Sequence, residues 1–119
     1  MEINSIINED YTTFQLEGRL DLNSSSEVKQ RVKGSLDDGA INVILDLSNV
    51  EFINSSGLGT LVSILKDVRM VQGKLVLCCL AQYVQEIFEI TQLSHIFEIF
   101  QSEEEAAASM VGGYVNASK

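Results

Sequence analysis

The chain has 119 residues, 45% of them hydrophobic, enough for one packed core and too short for two ordinary domains. Its 17 acidic against 8 basic residues give a formal charge of −9, which argues against a nucleic-acid surface and suits steering toward a basic partner. No hydrophobic stretch reaches the roughly 18 residues needed to span a bilayer, and Met1-Glu2-Ile3-Asn4 lacks the basic and apolar regions of a signal peptide, so a soluble, cytoplasmic protein is expected.

The first elements form a hairpin. Short strands are predicted over Ile3 to Asn8 and Tyr11 to Glu17, with Phe14 and Leu16 facing inward at period two. After Asp21 the pattern changes: Val28, Val32 and Leu36 recur every four residues behind the capping candidates Asn23 and Ser24, so a helix runs to about Asp37 and Gly39 ends it. Residues 41 to 47, Ile-Asn-Val-Ile-Leu-Asp-Leu, are dense in β-branched and apolar side chains and read as an inner strand.

Then comes Asn54-Ser55-Ser56-Gly57-Leu58-Gly59, followed by Leu58, Leu61, Val62, Leu65 and Val68 at helical spacing, with Lys66, Asp67 and Arg69 on a wet side. This second helix is predicted from Ser56 to about Val71, with Gly73 as its stop. A strand over Lys74 to Leu80 follows, then a helix marked by Val84, Ile87 and Phe88, a short strand over Ile96 to Phe100, and a closing helix from Ser102 to about Met110. Residues 1 to 111 are read as the domain, and 112 to 119, Gly-rich and polar, as a flexible tail. Alternating helices and apolar strands behind an antiparallel hairpin define an α/β protein with one mixed sheet.

The sequence offers little for catalysis. The single histidine, His95, lies in a weakly patterned turn, and no Asp or Cys stands at a recognisable triad spacing. Metal-site spacings are missing, and Gly57-Leu58-Gly59 completes neither Gly-x-Gly-x-x-Gly nor the Walker pattern, which leaves nucleotide binding as a weaker alternative. Cys78 and Cys79, adjacent in a strand, are expected to point to opposite faces as two unpaired thiols, with no disulfide framework or metal cluster.

The informative segment is the strand-to-helix turn at residues 54 to 59. Ser55 or Ser56 is the expected N-cap, a role that any such Ser can fill. A hydroxyl at a helix N-terminus is also well placed for phosphorylation, because unpaired N–H groups and the helix dipole favour an anion there. A phosphoserine brings about −1.5 to −2 charges and three acceptor oxygens.

The run from Asp46 through Leu61, Asp-Leu-Ser-Asn-Val-Glu-Phe-Ile-Asn-Ser-Ser-Gly-Leu-Gly-Thr-Leu, resembles the phosphorylation-site segment of bacterial anti-sigma factor antagonists, the stand-alone STAS domains. Gly18-Arg19-Leu20-Asp21 and Gly73-Lys74-Leu75-Val76-Leu77 extend the resemblance across roughly residues 3 to 110. It implies a sheet of four to five strands with helices mainly on one face, and a protein that is not an enzyme and needs no cofactor of its own. It further implies partner switching. The unphosphorylated domain would bind an anti-sigma factor that is also a serine kinase, phosphorylation of Ser55 would break that complex, and a metal-dependent serine phosphatase would reset it, with the free domain a monomer.

One position departs from the family, which usually carries Asp before the phosphorylated Ser where this chain has Asn54. Asn54 keeps the side-chain-to-backbone bonding of a turn but not the charge, so a constitutive, never phosphorylated binding module is the alternative. Ser55 takes the phosphoacceptor position, with Ser56 as the fallback. Asp21, Leu22, Asn23 and Ser24 from one turn, and Asn54, Ser56, Gly57 and Leu58 from the other, are the expected partner-binding residues, since both turns follow strands expected to be neighbours.

Overall fold

Among the described residues of the computed structural model, the strands are β1 (Glu2–Ile7), β2 (Thr12–Leu20), β3 (Asn42–Ile53), β4 (Lys74–Cys78) and β5 (Glu98–Phe100). The helices are α1 (Leu22–Asp37), α2 (Ser55–Met70), α3 (Gln82–Ile90) and α4 (Glu103–Ala117). The structure describes residues 1–117, and side-chain surroundings for residues 1–111. The reading of residues 112 to 119 as a tail therefore lies outside the fully described residues, although α4 itself continues beyond Met110 to Ala117.

The strands lie side by side in chain order, β1 antiparallel to β2 and every later pair parallel. Each parallel step needs a crossover, and α1, α2 and α3 supply them. Side-chain alternation along β3 and β4 then sorts the core onto two faces. Val43, Leu45, Leu47, Leu75 and Leu77 join Val28 and Val32 of α1, Leu61, Ile64 and Val68 of α2, and Val84 and Phe88 of α3. On the other face Ile44, Val76 and Cys78 meet Ala106 of α4. The helices thus lie mainly on one face, with α4 alone on the reverse.

Two differences from the sequence reading bear on function. Strand β3 runs to Ile53 instead of ending near Leu47, because pairing with β2 resumes at Asn49 and continues to Ile53 through two register shifts, at Gln15/Glu17 and Gly18/Arg19. The strand therefore delivers the chain directly to Asn54. At the other difference, β4 stops at Cys78 and Cys79 turns into the left-handed region at φ 65°. That turn cancels the strand alternation, so the two sulfurs come within 4.8 Å of each other instead of facing opposite ways.

Candidate functional site

The parallel register brings Leu20 opposite Ile53, so β2 and β3 end together and release α1 and α2 next to one another. The Asn54 N–H donates to the Leu20 carbonyl at 3.4 Å. The next residue begins the helix, and this fixes the cap. Asn54 has extended backbone (φ −123°, ψ −172°), and its Oδ1 accepts the Gly57 N–H at 3.0 Å. The N-cap is accordingly Asn54, and the expectation of Ser55 or Ser56 in that role is corrected: they are the first two helical residues. The amide of Asn54 also does the local work that a carboxylate would do there.

With the cap occupied by its neighbour, Ser55 stands exposed in the first turn of α2. Ser56 is half-buried, and its carbonyl accepts the Thr60 hydroxyl at 3.0 Å. Gly57 is buried against the end of β2, where a Cβ would run into the Leu20 carbonyl oxygen and lie 2.9 Å from the carbonyl carbon. Only a residue without a side chain permits that approach. Leu58 is half-buried and packs against the main core.

The companion turn has the same construction. Asp21, not Asn23 or Ser24, caps α1: its Oδ1 accepts the Asn23 N–H at 3.0 Å, while Ser24 Oγ accepts the Asp21 N–H at 3.1 Å. The Ser24 hydroxyl is buried and donates to the Arg19 carbonyl at 2.7 Å. Asp21 and Ser24 thus form a reciprocal capping box. Leu22, 74% exposed, and Asn23 project from the turn into solvent. The eight expected partner-binding residues and Ser55 all fall on these two turns, held together by the Leu20 carbonyl.

Other neighbours were not singled out by sequence. The Arg19 guanidinium lies 3.9 Å from the centre of the Phe52 ring and 3.6 Å from an Asp21 carboxylate oxygen. Tyr83 of α3 is close enough to Glu51 and Arg19 to feel their charges, and partial burial followed by the Glu51 carboxylate pushes its phenol up. A groove of about 440 Å³ also runs between α1 and α2, walled by Leu22, Ser25, Lys29, Ser56, Thr60 and Ser63. Lys29 fastens its floor by donating to Ser63 and pairing with Asp67 at 3.8 Å. Small hydroxyl residues on helix faces look like ordinary wet positions, and only the helix pairing gathers them into one surface.

A fold of consecutive, mostly parallel strands, with a Gly-tight strand-to-helix turn presenting an exposed Ser, defines a class. Residues 2–106 match the family model of the STAS domain, and the chain belongs to that family. Within it the chain is an anti-sigma factor antagonist of the STAS type. It is 36% identical over 94 residues to BtrV of Bordetella bronchiseptica, covering 79% of this chain and 81% of that one; the name of BtrV assigns it provisionally to the anti-sigma factor antagonists. To the anti-sigma-B factor antagonist of Listeria monocytogenes it is 33% identical over 96 residues, 81% of this chain and 84% of the other.

Among solved structures, TM1081 of Thermotoga maritima superimposes with a TM-score of 0.85 at 27% identity, over 91% of this chain and 93% of that one. SpoIIAA, solved in unphosphorylated and phosphorylated forms, shares the fold, with TM-scores of 0.79 and 0.71 at 20% and 19% identity; 93% and 91% of this chain, and 97% and 98% of those, are covered. No helix among the described residues is long and apolar enough to cross a membrane.

Proposed function

We propose that the surface formed by the first turns of α1 and α2 binds an anti-sigma factor, and that phosphorylation of Ser55 by a serine kinase abolishes binding. The observation that carries this reading is the division of labour at Asn54 and Ser55. Asn54 supplies the cap, so the Ser55 hydroxyl is left exposed with no structural duty that a phosphate would interrupt. The phosphate would sit at the positive end of a helix, worth typically ~0.3–1 kcal/mol per charge, so the free domain stays folded.

The complex is another matter. About two added negative charges in an interface centred on Ser55 must be desolvated or face like charge, which costs several kcal/mol. A loss of ~2.7 kcal/mol lowers affinity about a hundredfold. In this reading the domain acts by binding and not by catalysis, the nucleotide belongs to the kinase, and a metal-dependent serine phosphatase restores Ser55. Leu22 and Asn23, together with Leu58 beside Ser55, make the contact, while Asp21, Ser24 and Gly57 hold it in shape.

The test is intact-mass spectrometry after incubation with ATP, magnesium and the serine kinase encoded nearest to it, with peptide mapping across residues 46 to 70. One phosphate on Ser55 is expected, as is loss of co-elution with the kinase. Ser55→Ala should bind and resist modification, and Ser55→Asp should bind more weakly. Equal affinity of the two variants would end the charge-switch account, and a tight complex without any phosphate would favour the constitutive module.

A further inference from the structure

A second chemical cluster lies on the reverse face of the sheet, beneath the start of α4. Cys78 and Asp46 sit opposite each other in the parallel register of β3 and β4, both on the α4 side, and both are buried. Because Cys79 turns at φ 65°, its sulfur comes back to theirs: one carboxylate oxygen of Asp46 and the sulfurs of Cys78 and Cys79 all lie within 4.8 Å of one another. Glu103, the first residue of α4, completes the group. Its carboxyl is near enough to Asp46 to be pushed up by it, and Gln15 Nε2 donates to its Oε2 at 3.0 Å. Asp46 is oriented in turn by the Ser48 N–H at 2.8 Å.

Two carboxyls and two thiols thus gather at one point, Asp46 and Cys78 buried and Cys79 and Glu103 partly exposed. Burial, the Cys79 contact and the Asp46 charge all push the Cys78 thiol up, and Asp46 is the first cause holding the Glu103 carboxyl above its usual range. A bound divalent ion would place positive charge among these donors and favour their ionised forms.

We propose that Cys78, Cys79, Asp46 and Glu103 form a binding site for a thiophilic divalent cation, zinc by its donor set. Two thiolates and two carboxylates are a complete tetrahedral shell, and zinc at ~2.3 Å from sulfur and ~2.0–2.2 Å from oxygen needs its donors about 3.4–3.8 Å apart. The sulfurs and the Asp46 oxygen are already within 4.8 Å, so closing on the ion takes shifts of about an ångström or less on each of these three side chains. Both thiol protons, and any proton held between Glu103 and Asp46, leave for solvent as the metal bonds form, and the carboxylates contribute lone pairs. Gln15 and the Ser48 N–H are the outer partners that orient Glu103 and Asp46. The ion would tie β3, β4 and α4 together at one point, on the face away from Ser55.

The experiment is equilibrium dialysis of the reduced full chain against zinc chloride, with bound metal counted per chain and cobalt(II) as an optical probe of thiolate ligation. One zinc per chain and a thiolate-to-cobalt charge-transfer band are expected. Cys79→Ser and Glu103→Gln should each weaken zinc binding, the former by at least about a hundredfold, the upper end of what loss of an outer partner costs. On the wild-type chain, zinc should protect Cys79 from alkylation, which tests the site even if a variant misfolds. No stoichiometric zinc on the folded chain, binding that Cys79→Ser leaves unchanged, or zinc that fails to slow alkylation would each overturn the proposal.

Discussion

Replacing Asn54 by Ala removes the one side-chain acceptor seen on the first turn of α2, the 3.0 Å bond to the Gly57 N–H. Loss of an Asn N-cap costs typically ~1 kcal/mol, within ~0.5–2. For a domain of this length that is about 4 °C in Tm, or a urea midpoint lower by about 0.5–1 M. Asn54→Asp keeps the acceptor and adds a charge at the helix N-terminus, so it should match or exceed the parent by up to ~1 kcal/mol. Ser55→Ala touches no cap and should stay within ~0.5 kcal/mol. The three variants and the parent, unfolded in urea with both fluorescence and circular dichroism followed, give the order directly. A loss of about 1 kcal/mol in Ser55→Ala with none in Asn54→Ala would instead make Ser55 the cap and overturn the assignment to Asn54.

Two glycines in the same turn should respond with opposite sign. Gly57→Ala drives a Cβ into the Leu20 carbonyl and should cost about 1–3 kcal/mol, whereas Gly59 has open space at its Cβ position and Gly59→Ala should add up to ~1 kcal/mol, both read from urea midpoints. On the reverse face, Glu103 holds its proton more tightly folded than unfolded, so its contribution is complete at pH below the unfolded value and is lost as pH rises through the raised folded value. Metal-free parent protein should therefore lose stability on that rise relative to Glu103→Gln, and parallel stability curves for the two would contradict the Asp46 contact. Leu77, fully buried in the main core, should lose ~2–5 kcal/mol as Leu77→Ala, measured by the same unfolding curves.

The alternation of strands and helices was legible because each element carries its own period: Val28, Val32 and Leu36 on α1, and the β-branched run of β3. The four-residue spacing and Gly39 place the C-terminal end of α1 at Asp37, whereas its start lies two to three residues earlier than the capping candidates Asn23 and Ser24 imply. What sequence misjudged was decided by pairing between strands. Asn54, Ser55 and Ser56 are all good caps, and the choice fell to Asn54 because Leu20 holds its N–H, a contact 34 residues away in the chain. Likewise Asp21 won over Asn23 and Ser24 as cap of α1 because β2 ends at Leu20. Cys78 and Cys79 were assigned opposite faces by strand alternation, which holds only while the backbone stays extended. Of the site, the Ser-Gly turn was visible, whereas the Arg19–Phe52 stack, Tyr83 and the hydroxyl-lined groove needed the packing of β2 on β3 and of α1 on α2.

The tight seat of Gly57 on the Leu20 carbonyl has a consequence for how such a domain can carry information. The start of α2 thus rests directly on the end of β2, with no side chain between them. In the proposed switch, a phosphate on Ser55 would be read by a partner that touches this surface. Exposed positions such as Leu22 and Asn23 are free to change with the reader, while the platform beneath them stays common to all readers.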